Sequence, residues 1–152
     1  MKKSLDFKEN KIFLGLLLIL AVAVWSYFFL QDSNSTDGDS KIISINNEKF
    51  KIESACSPEE QQKGLGGREN LCADCGMLFE FTQEDKHSFW MRDMKFPLDI
   101  IWISSNKVVF VVKNISPDNQ NVFAPPVKAN RVLEINAGIS DKYEIREGSK
   151  VE

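Results

Sequence analysis

Histidine is almost missing from this chain. His87 is the only one, so the two-histidine zinc motif H-E-x-x-H cannot be written in it. G-x-S-x-G is absent as well, which removes the nucleophile elbow of the α/β-hydrolases. Cysteine is scarce and odd in number: with only Cys56, Cys72 and Cys75, pairing any two leaves one thiol over. No stripe of lysine and arginine is present, the net charge is −3 and the isoelectric point about 5.3. That balance speaks against nucleic acid, whose phosphates are held chiefly by clustered positive charge. The glycine cluster Gly64-Leu65-Gly66-Gly67 has no Lys-Ser/Thr after it and no strand directly before it. It therefore reads as a helix stop and not as a phosphate cradle.

The 152 residues, 43% hydrophobic and 27% charged, have room for one globular domain. Ile12 to Leu30 is an uncharged apolar run of 19 residues, about 28 Å long as a helix and so close to a bilayer's hydrocarbon thickness. Lys2, Lys3, Lys8 and Lys11 precede it, while Asp32, Asp37 and Asp39 follow, which places the N-terminus in the cytoplasm and the remainder outside. A cleaved signal peptide is the rival reading, but Phe28-Phe29-Leu30-Gln31 stands where small cleavage-site residues belong. The expected organisation is a cytoplasmic segment 1–11, a single-pass signal anchor 12–30 in contact with the lipid bilayer, a flexible polar linker 31–40 and an extracytoplasmic β domain 41–152 at the cell membrane.

Within that domain, Lys41 to Asn46 and Glu48 to Ala55 alternate apolar and polar residues about Asn46-Asn47, as a hairpin does. Ser57-Pro58-Glu59-Glu60 predicts a short helix, with Ser57 as N-cap, Pro58 at the first helical position and Glu60 closing a capping box. Gly76 to Phe81, Ser88 to Met94, Leu98 to Ile103, Lys107 to Val112 and Arg131 to Asn136 are further candidate strands, with Thr82 to Lys86 as a polar turn. Leu98 to Ile103 is apolar on both faces apart from Asp99, as expected of a strand covered on both sides. Ser116 to Asn130, with Pro117, Pro125 and Pro126, is too proline-rich for a strand and has the length of a lid. The sum is about eight short strands and one short helix, a mainly-β fold of sandwich or barrel-like form preceded by the transmembrane helix.

Gly76-Met77-Leu78-Phe79, Phe89-Trp90-Met91-Arg92-Asp93-Met94 and Pro97-Leu98-Asp99-Ile100-Ile101-Trp102 together resemble domain-of-unknown-function family 192. Gly64-Leu65-x-x-Arg68 and Leu133-Glu134-x-x-Ala137-Gly138 match the same pattern, and the resemblance covers roughly residues 48 to 152. It implies a compact mainly-β domain, often exported, and assigns no activity. The three cysteines stand outside the family motif.

Cys72 and Cys75 form a C-x-x-C and are the favoured disulfide in an oxidising space. A Cys₃His zinc site from Cys56, Cys72, Cys75 and His87 has the right ligand count but not a standard spacing. An exchange-active dithiol is the remaining reading of the pair. Asp99, if buried, needs a partner such as Arg68, Arg92 or Arg131, because an unpaired buried charge costs several kcal/mol. Its sharper reading is a general acid or base working with Asp93 or Glu134. Trp90, Arg92, Met94, Asp99, Arg68 and Phe123 suggest an aromatic and thioether wall beside an arginine, suited to a small anionic or amphipathic ligand or a sugar ring. The expected function is a membrane-tethered extracytoplasmic binding module without cofactor, its groove lying between the Phe89 to Asp99 segment and the Ser116 to Asn130 loop. The alternatives are a carboxylate- or thiol-based envelope enzyme and a structural envelope component without ligand.

Overall fold

Ile43 and Ile45 are buried from one face of strand β1 (Lys41–Ile45), with Ile42 and Ser44 on the other, and Phe50 and Ile52 alternate with polar neighbours along β2 (Glu48–Ala55). The two strands pair antiparallel in this computed structural model, which describes residues 41–152. Asn46 and Asn47 take φ of 53° and 72°, the left-handed pair that a two-residue type I′ hairpin demands and that asparagine tolerates. Helix α1 (Pro58–Lys63) starts as expected: the Ser57 hydroxyl accepts from the Glu60 N–H, and the Glu60 carboxylate accepts from the Ser57 and Cys56 N–H groups. Those bonds hold the Glu60 carboxyl below the usual carboxylate range. Gly64, at φ 53°, ends the helix.

Strands β3 (Cys75–Asp85), β4 (Leu98–Ser104), β5 (Lys107–Ile115) and β6 (Ala129–Asn136) follow, with a single helical turn, α2 (Ile139–Lys142), after the last. All join one six-stranded sheet in the order β1-β2-β3-β6-β4-β5. The β2–β3 pair is parallel, crossing over through α1, and every other pair is antiparallel. The C-terminal segment then reaches both edge strands: Ser44 exchanges backbone bonds with Glu152, while the Val108 N–H donates to the Ser149 carbonyl. One end of the sheet must therefore curve until β1 and β5 share a strap.

Each face of the sheet carries its own core. On one lie Ile43, Phe50, Leu78, Ile101, Leu133, Ile145 and Val151. On the other, Met77, Phe79, Ile100, Trp102 and Val132 are covered by Leu65, Phe89 and Met91 from the connections. β4, buried along almost its whole length, serves both cores, as its two-sided apolar pattern predicts.

The expected sandwich or barrel of about eight strands is thus corrected to one mixed sheet of six. The main reason is Ser88 to Met94, which forms no strand. The Trp102 indole N–H donates to the His87 carbonyl at 2.8 Å, Phe89 exchanges two 2.8 Å backbone bonds with Phe123, and the chain then turns, with Asp93 at φ 58°. Conversely, Thr82 to Asp85 is not a turn but the end of a long β3.

The membrane expectations are corrected too. The span 12–30, with the cytoplasmic segment 1–11 and the linker 31–40, lies outside the described residues, and among the described residues no helix is long and apolar enough to cross a membrane. The structure therefore gives no support to a signal anchor, a bilayer contact or a single-pass extracytoplasmic placement.

Asp99 is fully buried, yet no arginine meets it. At a bulge, where Leu98 pairs with Ile115 but Ile100 with Val112, Asn114 leaves the ladder and its N–H donates to Asp99 Oδ1 at 2.8 Å. The Gly138 N–H donates to the same oxygen at 3.3 Å and the Ser140 N–H to Oδ2 at 2.8 Å. The expected guanidinium partner is replaced by three main-chain donors; Arg131 instead bonds Asn106 Oδ1 at 2.9 Å. Asp99→Ala should lower the unfolding free energy by about 3–5 kcal/mol, and Asp99→Asn, which turns a donor toward donors, by about 2 kcal/mol or more. Urea denaturation would check both.

Candidate functional site

Alternation along β6 puts Leu133 and Ile135 in one core and Val132 in the other, beside Glu134. The register sets Glu134 between Met77 of β3 and Ile100 of β4, with Glu53 of β2 across Met77 on the same row. Glu134 is only 5% exposed, and its Oε2 has no hydrogen-bond partner. The Leu65 backbone N–H stands beside the carboxyl. Burial among apolar side chains pushes the carboxyl up to about 8, against the opposing pull of the Leu65 N–H and the Arg68 charge. At neutral pH the group is largely a neutral acid.

The roof over this carboxyl is the end of α1. A β-carbon on Gly64 would sit 3.5 Å from both Glu134 Oε2 and Phe79 Cζ, so any side chain there would fill the space above the acid. Between Gly64 and the segment 87–90 opens a pocket of about 270 Å³ with Glu134 in its lining. Its walls are aromatic: Phe79 meets Phe89 edge to face at 4.8 Å, and Phe81 stacks flat on His87 at 3.6 Å. Trp90, 43% exposed, stands at the rim. Gln61, Gln62 and Lys63 of α1 complete the lining with Ser88.

Arg68 does not pair with Asp99. Its guanidinium takes both oxygens of Glu53, at 2.8 and 2.7 Å, which lowers the Glu53 carboxyl and raises the guanidinium. Asp99 and Glu134 cannot form an acid–base couple, because Asp99 is paired with Ile135 and shares its face, whereas Glu134 is on the other. Asp93 is exposed and lines neither the Glu134 pocket nor the surroundings of Asp99.

The expected groove exists in altered form. Trp90, Met91, Arg92 and Asp93 face Pro117 to Gln120 and Val122 across about 500 Å³. Asp99, Met94 and Phe123 do not line it; Met94 and Phe123 pack on the second core. Arg92 lies 5.5 Å over the Trp90 ring and donates to the Gln62 carbonyl at 3.0 Å. Trp90 borders both cavities.

The Cys72 and Cys75 sulfurs are at bonding distance as a disulfide, and Cys56 is a free, exposed thiol. The Cys₃His set is not brought together: Cys72 and Cys75 gather only with Asp74 among the described residues, and His87 is stacked on Phe81. The pocket residues that sequence reasoning left out as site residues are Phe79, Phe81, Ser88, Phe89, Gly64 and Gln61 to Lys63. A signal for them was present, since Gly64-Leu65-x-x-Arg68, Met77 to Phe79 and Leu133-Glu134 all converge here.

Comparison with known proteins finds no match among those of curated function. A crystal structure of a protein of unknown function from Novosphingobium aromaticivorans DSM 12444 is 31% identical with a TM-score of 0.70, over 74% of this chain and 84% of that one. A protein proposed to be a transcription regulator, from Sinorhizobium meliloti 1021, is 28% identical with a TM-score of 0.66, over 68% of this chain and 81% of that one. Residues 41–152 match the uncharacterized ACR family DUF192 along their whole length, and to that family the chain belongs.

Proposed function

We propose that the domain binds a small molecule in the pocket beneath α1, with Glu134 as the recognition group at its floor and Phe79, Phe81, Phe89 and Trp90 as its walls. The observation that carries this reading is the buried Oε2 atom without a partner. An unsatisfied buried oxygen costs about 1–3 kcal/mol, and a ligand atom placed against it relieves that cost. The pocket, at about 270 Å³, lies at the small end of the range for ligand cavities, roughly 300–1,000 Å³, and suits a single ring with its substituents. Binding is favoured over turnover because, among the described residues, no second carboxylate joins Glu134 in the lining. The net charge of −3 gives direct DNA contact no support.

A group kept at the expense of stability should show itself in the pH dependence of folding. The unfolded chain releases the Glu134 proton near the ordinary 4.5, and the folded chain near 8. Between those values only the folded state holds the proton, so its contribution to stability falls as pH rises and levels off above about 8. Relative to wild type, Glu134→Gln should therefore gain about 2–4 kcal/mol between pH 5 and pH 8, read as a difference between paired denaturation curves. A constant difference across that range would count against the buried acid.

Binding is tested by a ligand-observed NMR screen of single-ring fragments. Trp90→Ala, at an exposed rim position, should weaken hits about 5- to 30-fold, the loss of one aromatic contact. Hits indifferent to both Trp90→Ala and Glu134→Leu would remove the proposal.

A further inference from the structure

We infer that the pocket takes a neutral ring compound that presents a hydrogen-bond acceptor, such as a carbonyl, ether or ring-nitrogen atom, to the protonated Glu134 carboxyl. The inference rests on the small-molecule reading of the pocket and adds the chemistry of the ligand.

The Glu134 carboxyl belongs to the pocket lining, its Oε2 has no partner and lies 3.5 Å from where a Gly64 β-carbon would be, and its register neighbours on both sides are apolar. A carboxyl placed so keeps its proton, and a protonated carboxyl is a donor. The complementary ligand atom is an acceptor.

The surrounding charges argue against an ion. Met77 and Ile100, the register neighbours of Glu134 on β3 and β4, are uncharged and buried. The charged or titratable groups facing it from elsewhere are Glu53 on β2, itself engaged by Arg68, Lys63 on α1, Arg68 on the following loop and His87 on the β3–β4 connection. An ammonium ligand would enter among potential cations and would require the acid to ionise among apolar walls. An anion would find no unengaged cation at the floor: Arg68 is committed to Glu53, and His87 Nε2 bonds the Gln83 carbonyl at 3.1 Å. Lys63 belongs to the exposed end of α1. Of the ligand types considered from the sequence, the anionic one is therefore disfavoured. The flat Phe81–His87 stack, with planes 12° apart, offers a surface for a ring.

Three probes of equal size separate the possibilities: acetophenone, 1-phenylethylamine and benzoate, titrated into the full chain by saturation-transfer NMR at pH 6 and pH 9. Acetophenone should bind in preference to the other two at pH 6 and weaken about tenfold at pH 9, as the donor proton is lost. Glu134→Gln, which keeps an N–H donor at any pH, should bind acetophenone equally at both, and Glu134→Leu should lose it. Preference for the amine or benzoate, or affinity that rises with pH, would overturn the acceptor inference while leaving the pocket reading intact. Equal binding of acetophenone by the Gln and Leu variants would also overturn it. Failure of all three probes on the wild-type chain would overturn both.

Discussion

The fold is held in register by a side chain acting as main chain. Where β4 and β5 slip past one another at the bulge, an amide of the sheet loses its ladder partner, and the Asp99 carboxylate takes that amide together with two from the turn that follows β6. One buried carboxylate thus fastens an edge strand to the start of the C-terminal arm. That arm supplies Ile145 and Val151 to the first core and the strap between β1 and β5. Were the amides at Asn114, Gly138 and Ser140 left unpaired in so dry a place, the arm would have little reason to turn where it does.

The same sheet buries a second acid one strand away, on its opposite face, and treats it in the opposite manner. Asp99 has three donors; Glu134 has one N–H and a neighbouring charge that is itself spoken for. The two residues are similar in composition and burial, and their different fates follow from what each face has above it. Over Asp99 lie a bulge and a turn, rich in amides that have left the ladder. Over Glu134 lie a glycine and phenylalanine rings. A carboxylate satisfied by the backbone is part of the frame, whereas the acid left partly unsatisfied stands in the wall of a cavity.

Much of this was legible in the sequence where the governing interaction is local. The Asn46-Asn47 turn, the Ser57 capping box and the glycine that stops α1 each depend on residues within a few positions of one another, and all are found. The two-sided burial of β4 and the alternation of β6 follow from strand periodicity and are found as well. Ser88 to Met94 misled because its alternating pattern is that of a strand, whereas an indole N–H from Trp102 and a short pairing with Phe123 decide its path. Asp99, once buried, needs a partner, but an arginine is visible in a sequence and a stray backbone amide is not. Glu134 was recognisable as a lone acid in an apolar strand. That it faces Leu65 and Gly64, some seventy positions earlier, and turns away from Asp99, depends on register, which one-dimensional periodicity leaves open.

The strand order also bears on how the domain comes into being. The carboxyl at the pocket floor rides on β6, and β6 lies between β3 and β4, joining Gly76 to Ile135 and Ile103 to Arg131. Contacts so distant along the chain close slowly, because their loops must be ordered before any pairing rewards them. The hairpin and α1 can form early from their own neighbours, but walls without a floor make no receptacle. The cavity exists only in molecules in which the central strand has already found its place.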